Sequence, residues 1–324
     1  MDLNTAIASP PAPAPRSTAR FVFFNERGLR AGWRLLIFLA ILAVSGFAAL
    51  GVFGLLLSLV RGPVRGGAVP PFWMGLGDLA AFLAVVLASW IMSRIEHCPA
   101  GTYGLPFRPS ALSRFAAGYV LWGFLPLTVV LVIMRALGVF SFGTAGLGLG
   151  ESLQWALTWG FVFLMVGFFE EYSFRGYALY TLADGIGFWP AAIIMALIFG
   201  RAHMGNGGES YIGIVGTILF ALFASATLRR TGNLWLAVGA HAGWNWGQSF
   251  FYGVSDSGLR AQGHLFNPPP PHGPIWLSGG TVGPEGSIVT LIVWGLMTIG
   301  FLLFGPRKEM SNLTTSQERS RVST

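Results

Sequence analysis

Charged residues are scarce in this 324-residue chain: only 10% of its residues are Asp, Glu, Lys or Arg, whereas 53% are hydrophobic. A soluble globular domain carries about 25% charged residues. The chain therefore has too little polar surface to cover a water-facing globule of its size. The composition excludes a soluble fold and predicts a protein of the lipid bilayer.

Cysteine and lysine are almost absent. Cys98 is the single cysteine, which excludes an intrachain disulfide framework and a thiolate metal cluster. Lys308 is the single lysine among 20 basic residues, and the arginines are scattered mostly singly between apolar runs. No basic stripe with interleaved aromatic residues is present, so nucleic-acid binding is excluded. Cationic loops next to membrane helices explain the net charge of +7.

Long apolar runs dominate the rest of the chain. A helix that crosses a bilayer needs about 20 mostly apolar residues. Eight runs reach or approach that length, and the fifth is expected to extend to His203; they are residues 35–60, 72–92, 115–137, 153–170, 188–200, 211–228, 234–251 and 287–304. The sequence predicts an all-α polytopic membrane protein with about eight transmembrane helices in a bundle.

Three regions follow from this pattern. Residues 1–26, whose first 20 residues are rich in Pro, Ala and Ser, are predicted to be a disordered cytoplasmic tail. Residues 27–305 form the predicted membrane domain, and residues 306–324 a polar cytoplasmic tail. The loop 254–286, with its run of prolines at 268–271, is predicted to be irregular and without a core of its own.

The distribution of basic residues predicts the orientation. With eight spans both termini lie on one side, and basic residues concentrate on that side, which the positive-inside rule assigns to the cytoplasm. The sequence thus predicts a multi-pass protein of the cell membrane with cytoplasmic termini. The predicted cytoplasmic set is Arg16, Arg20, Arg27, Arg30, Arg34, Arg94, Arg108, Arg114, Arg175, Arg229, Arg230, Arg307, Lys308, Arg319 and Arg321, against Arg61, Arg65 and Arg260 on the other side.

Ionisable groups within these runs are costly, and each is a functional hypothesis by default. Glu170 and Glu171 end the fourth run and point about 100° apart on a helix, so they serve different purposes. Glu171 and Arg175 lie four residues apart and can pair. Glu170 is left without a local counter-charge, which makes it a candidate general base.

Three further polar residues lie in later runs. His203 ends the fifth run, and His241 and Asn245 lie one turn apart on one face of the seventh. His203 could share a water molecule with Glu170, and His241 with Asn245 could donate hydrogen bonds to an oxyanion. For Glu170 and His203 to reach the same depth, the fourth helix must continue past Arg175 toward Leu182.

Each of these residues alone also has an ordinary structural explanation. Glu171 and Arg175 can be an ion pair that orients a helix. A membrane His or Asn is often an interhelical hydrogen-bond partner. Asp78, solitary in the second run, stays unassigned. Four groups suited to the addition of water to an amide, on three otherwise apolar helices, favour a hydrolase site.

At these residues the sequence resembles the CPBP family of intramembrane proteases, the type II CAAX prenyl proteases also called Abi proteins. The family pattern EExxxR, FxxxH and HxxxN is matched by Glu170 to Arg175, Phe199 to His203 and His241 to Asn245. The resemblance covers about residues 150–250. It implies a helical bundle around a water-accessible cavity that opens to the membrane.

The resemblance also implies roles. Glu170 and His203 would activate the attacking water, His241 and Asn245 would stabilise the oxyanion, and Glu171 with Arg175 would hold the geometry. The substrate would be a peptide or a membrane protein, with or without a lipid group. No cofactor is firmly implied; zinc stays open, and Glu170, His203 and His241 would be its ligands.

Two other functions stay open. The first is a non-catalytic protein of the same fold that acts in bacteriocin immunity or as a membrane scaffold. The second is a proton-coupled transporter, which the lack of an internal repeat makes less favoured.

Overall fold

A computed structural model describes residues 22–25, 28–61, 70–99 and 101–306 of the chain. The predicted tails, residues 1–26 and 306–324, lie almost entirely outside these described residues. The helices are α1 (Ala31–Arg61), α2 (Pro71–Ile95), α3 (Ser110–Ala117), α4 (Leu125–Ala136), α5 (Leu149–Arg175), α6 (Tyr177–Ile186), α7 (Phe188–His203), α8 (Tyr211–Thr231), α9 (Trp235–Trp246), α10 (Ile275–Ser278) and α11 (Ile288–Phe304). The described residues also contain two π-helical segments, Gly118–Phe124 and Gly247–Tyr252, and a 3₁₀ turn, Pro284–Gly286.

Two short antiparallel ladders accompany the helices. Strand β1 (Phe24–Asn25) pairs with β2 (Gly28–Leu29) before α1. Strand β3 (Thr144–Ala145) pairs with β4 (Phe266–Asn267), with Thr144 opposite Asn267. The second ladder ties the chain before α5 to the long loop 254–286.

The predicted class, an all-α polytopic membrane protein, is confirmed. Within the described ranges, five helical stretches are long and apolar enough to cross a bilayer, and α7 and α11 are shorter apolar helices; the five are Ala31–Val60, Pro71–Ile95, Ser110–Ala136, Leu149–Ile186 and Tyr211–Thr231. The predicted run 234–251 falls on α9 and the π-helical segment after it. The predicted number of eight spans is not established by these helices.

The exterior of the bundle is apolar. Only 6% of the most apolar window of α1 is buried within the molecule. Val44 and Phe47 on this helix are 73% and 79% exposed. Large aliphatic and aromatic side chains on the outside are the expected pattern for helices that contact lipid tails rather than water.

Proline, serine and glycine residues mark the positions where several helices begin or end. Pro71 occupies the first position of α2, where its missing N–H costs nothing. The Ser210 hydroxyl accepts a hydrogen bond from the Gly213 N–H at 3.0 Å and begins α8. Gly232 ends α8 with φ +71°, a conformation that glycine adopts without strain.

Glycines place α9 directly against the π-helical segment. A Cβ atom at Gly239 or Gly243 would overlap the carbonyl oxygen of Phe115 or Tyr119, and Gly118 makes the matching approach from the π-helical side. Backbone contact of this kind requires residues without a side chain. Because α9 carries His241 and Asn245, this contact fixes their depth and rotation.

Helix α5 ends at a kink. Gly176 interrupts the helix with φ −80° and ψ −132°, and α6 continues to Ile186. The predicted continuation past Arg175 is therefore present, as a second helix after a one-residue break. This continuation takes Arg175 off the predicted set of cytoplasmic basic residues, and the Arg175 side chain is indeed buried beside Glu171.

The loop 254–286 packs closely against the bundle. It contains β4, α10 and the 3₁₀ turn, and Ala261 and Val282 within it are buried. Gly258 packs against the backbone of Gly207, so the loop meets the segment between α7 and α8. Outside these short elements the loop is irregular, as predicted, and its buried Ala261 clusters with Trp159 of α5 rather than in a core of the loop's own.

Candidate functional site

Glu170 and Glu171 lie in the last turns of α5 and occupy different environments. The Glu171 side chain is fully buried, whereas that of Glu170 is 22% exposed and lines an internal cavity. This difference follows from the roughly 100° rotation between consecutive helical residues. The two side chains therefore point in different directions, as the sequence predicts.

Glu171 connects two other site residues. Its Oε1 atom accepts a hydrogen bond from Arg175 Nη1 at 3.3 Å and lies 2.9 Å from His241 Nδ1. The Arg175 guanidinium also lies over the ring of Phe199, 4.3 Å from its centroid, a cation–π contact. A buried carboxylate is thus shared between a cation on its own helix and an imidazole on α9.

His203 is held by its own helix. Its Nδ1 atom lies 2.8 Å from the carbonyl oxygen of Phe199, one turn earlier in α7. The rings of Phe199 and His203 are 4.4 Å apart. The Nε2 atom consequently points away from α7 and toward Glu170.

Both imidazoles face one carboxylate oxygen. The Nε2 atoms of His203 and His241 each lie 3.8 Å from Oε2 of Glu170. This oxygen is buried and has no hydrogen-bond partner among the described residues. Two hydrogen bonds of about 2.8 Å span up to about 5.6 Å, so one water molecule can contact the oxygen and either nitrogen.

A cavity of about 310 Å³ lies beside this cluster. Glu170, His203, His241 and Asn245 all line it, so the structure brings these four sequence-predicted residues to one space. Glu171 and Arg175 do not line it and lie behind His241. Large apolar side chains form much of the remaining wall: Trp159, Phe163, Phe199, Phe220, Trp244 and Trp294.

The same cavity includes three carboxylates outside the family pattern. Asp78 reaches it from α2, Asp256 from the long loop and Glu285 from the 3₁₀ turn. Burial raises the pKa of Asp256, and the neighbouring Glu285 raises it further; burial also raises the pKa of Glu285. Sequence reasoning did not identify Asp256 and Glu285, because the sequence of a long loop does not indicate which of its residues lie close to a helix.

Zinc does not fit these side chains as they stand. Zinc–nitrogen and zinc–oxygen bonds of about 2.0–2.1 Å place tetrahedral ligand atoms about 3.3 Å apart. The separations from Glu170 Oε2 to the two imidazoles are 3.8 Å. Over the described ranges, no group of three His, Cys, Asp or Glu side chains has an arrangement that could hold a metal ion.

The fold and the cluster together define a multi-pass helical membrane protein with an acid–imidazole site inside the bundle. Residues 152–247 match the family model of the Rce1-like type II CAAX prenyl endopeptidases. The resemblance seen in the sequence is thereby confirmed for this segment, which contains all three motifs. No curated protein and no solved structure matches the chain.

Proposed function

We propose that the protein is an intramembrane endopeptidase of the CAAX-processing type, in which Glu170 activates a water molecule. The observation that carries this proposal is the convergence of two imidazole nitrogens on a single unpartnered oxygen, Glu170 Oε2, at 3.8 Å each. The family match to a peptidase supports it independently. In this proposal the catalytic core is formed by residues from about 150 to 250. The distribution of basic residues assigns both termini to the cytoplasm.

Hydrogen bonding sets the tautomers of the two imidazoles. A carbonyl oxygen only accepts, so His203 must carry a hydrogen on Nδ1 to bond Phe199. A carboxylate paired with a guanidinium also only accepts, so His241 must carry a hydrogen on Nδ1 to bond Glu171. The two Nε2 atoms therefore face Glu170 as lone pairs unless a further proton is bound.

The number of hydrogen-bond acceptors around the water molecule shows that one of the two imidazoles binds a further proton. A water molecule has two hydrogens, but Glu170 Oε2 and two neutral Nε2 atoms would present three acceptors to it. We assign the additional proton to Nε2 of His241, because Glu171 lies 2.9 Å from the opposite nitrogen and stabilises an imidazolium. Glu170, Glu171, Arg175 and His241 then sum to zero charge, which suits a site inside a membrane.

The reaction follows from these states. Water donates hydrogen bonds to Glu170 and His203, and its oxygen attacks the peptide carbonyl carbon while its proton passes to Glu170. Nε2–H of His241 and the side-chain amide of Asn245 donate to the oxyanion that forms. Glu170 then returns the proton to the leaving amine as the carbon–nitrogen bond breaks. The products are a carboxylic acid and an amine, which become a carboxylate and an ammonium when the acid passes its proton to the amine, and Glu170 is again ionised.

The location of the site determines the kind of substrate. The cavity lies among apolar helices, and aromatic side chains form much of its wall. Such a wall favours a peptide segment with apolar or lipidated residues over a fully hydrated loop. The substrate is accordingly a membrane-associated peptide or the membrane segment of another protein.

The proposal is tested in cells by comparing membrane peptides from cells that produce the wild-type protein with those from cells that produce Glu170→Gln at equal levels. The wild-type sample is expected to contain new peptide termini that the variant sample lacks. Identical termini in both samples would refute a peptidase that depends on Glu170. A scaffold would keep its partners in the variant, and a proton-coupled transporter would instead lose flux.

A further inference from the structure

A small hairpin in the long loop 254–286 forms part of the cavity wall. Asp256 and Leu259 are joined by two backbone hydrogen bonds, in which the N–H of each donates to the carbonyl oxygen of the other at 2.9 and 2.8 Å. The two residues between them, Ser257 and Gly258, have φ +48° and +83°. Two consecutive residues with positive φ are typical of the type I′ turn, which closes many two-residue hairpins.

The pairing of the hairpin determines which side chains face the cavity. Residues directly opposite each other in an antiparallel pair project from the same face. Asp256 and Leu259 accordingly both line the cavity that contains Glu170. The hairpin thus presents a polar and an apolar side chain, next to each other, to the space in which the proposed reaction takes place.

Contacts on two sides hold the hairpin in place. The N–H and the hydroxyl of Ser257 both donate to Glu285 Oε2, at 2.9 and 3.1 Å. On the other side, the Ser249 hydroxyl donates to the Asp256 carboxylate at 3.1 Å. A residue other than glycine with positive φ, such as Ser257, is strained and persists only where the surrounding contacts impose its conformation. Strain of this kind is concentrated at functional sites.

Leu259 differs from the other apolar residues in this part of the loop. Ala261 and Leu265 pack into the hydrophobic cluster around Trp159, whereas the Leu259 side chain is 47% exposed. A half-exposed leucine on the outside of the bundle would need no special explanation, but Leu259 lines an internal cavity. Apolar surface in a binding cavity is covered when a ligand enters, and this burial contributes to the affinity.

We propose that Leu259 is a specificity-determining residue, which packs against an apolar side chain at one fixed position of the bound peptide. The inference rests on the proposed peptidase function and assigns a residue that selects the substrate. Because the anchored hairpin fixes Leu259, this residue recognises one position of the peptide rather than its overall hydrophobicity. A peptide with a small side chain at that position leaves the leucine surface uncovered and binds less tightly.

The test uses the full-length protein in nanodiscs and a fluorogenic dodecapeptide with an apolar centre, in which each central residue is replaced in turn by Ala. For the wild-type protein we expect one of these replacements to lower kcat/KM by about tenfold. In Leu259→Ala the same replacement should have little effect. A peptide with Trp at that position should then be cleaved better by Leu259→Ala than by the wild type, because the shortened side chain leaves room for the larger ring.

Leu157→Ala is the matched control, because this leucine of α5 is 74% exposed and does not line the cavity. It should keep the wild-type dependence on the peptide position. Leu259→Met retains an apolar side chain of similar volume and should also keep most of that dependence. If Leu259→Ala does not elute as one species, the smaller truncation Leu259→Val replaces it.

Binding of the same peptides to Glu170→Gln protein, with and without Leu259→Ala, separates this inference from the proposed function. The dissociation constants are measured by fluorescence anisotropy. Wild-type protein that cleaves none of the peptides would count against the peptidase, whereas the dissociation constants would still decide on Leu259. A loss of affinity spread evenly over all peptide positions would overturn the inference. The same positional loss with Leu259 and with Ala at residue 259 would overturn it equally.

Discussion

His241 Nδ1 lies 2.9 Å from Oε1 of Glu171, a residue 70 positions earlier in the chain. The same oxygen accepts the Arg175 guanidinium, so one buried carboxylate orients an imidazole on another helix. In the proposed mechanism Glu171 is a positioning residue, which acts on the reaction only through the tautomer and charge of His241.

The first prediction concerns that role. Glu171→Gln should lower kcat by on the order of 10²-fold or more with little change in KM, because the oxyanion donor on His241 is lost. The substitution also leaves the buried Arg175 charge unpaired, which destabilises a protein by about 3–5 kcal/mol.

The double variant Glu171→Gln/Arg175→Met separates the two effects, because it removes both charges. It should recover thermal stability and keep the low kcat. A double variant with wild-type kcat would show that Glu171 only supports folding.

The second prediction concerns the glycine contact under His241. Gly243→Val should place a side chain against the Tyr119 backbone and push α9 away, at a cost of about 1–3 kcal/mol. Displacing His241 and Asn245 by about 1 Å should reduce kcat by about 10²-fold. Gly46→Ala is the control, since nothing lies within 4 Å of a Cβ atom there. Equal activity of the two variants would contradict the assigned contact.

The third prediction concerns stability and pH. The pKa of Asp256 is raised by burial and by Glu285, so the folded state holds this proton more tightly than the unfolded state does. The free energy of unfolding therefore falls as pH rises from the unfolded value, about 3.9, through the folded value.

Asp256→Asn keeps the acceptor for the Ser249 hydroxyl and removes the titration. Its Tm in detergent should decline less with rising pH than the wild-type Tm. The control variant Glu151→Gln, which changes an exposed carboxylate at the start of α5, should show the wild-type dependence of Tm on pH. If the Tm values of the wild-type and Asp256→Asn proteins fall equally with rising pH, the titration of Asp256 is not the cause of the loss of stability.

The fourth prediction concerns metal dependence. Dialysis against EDTA and phenanthroline should leave hydrolysis unchanged, because the proposed chemistry uses only Glu170, His203, His241 and Asn245. Activity is compared before and after dialysis and after return of zinc. Loss of activity that zinc restores would show that the site closes around a metal in the working enzyme.

The helices and part of the candidate site can be predicted from the sequence alone. Apolar runs predict the helices because lipid contact requires long uninterrupted apolar segments, and the spacing of Glu171 and Arg175 predicts their ion pair. The family pattern adds the expectation that His203 and His241 lie beside Glu170, which the helices alone do not provide.

Other features could not be predicted because they depend on contacts between distant segments. The bond between Glu171 and His241 depends on how α5 and α9 cross, and this crossing is set by the glycine contact with the π-helical segment. Asp256 and Glu285 reach the cavity because a proline-rich loop folds back onto the bundle. Periodicity describes only neighbours along one helix, so it contains no information about either.

The most direct test of the account is the single-turnover cleavage rate of purified protein in nanodiscs, measured for the wild type and for Glu170→Gln with a peptide that the wild type cleaves. A positioned general base contributes about 10²–10⁴-fold, so the variant rate should fall by that factor while the peptide Kd stays within about threefold. A Glu170→Gln protein that cleaves at the wild-type rate would contradict the account.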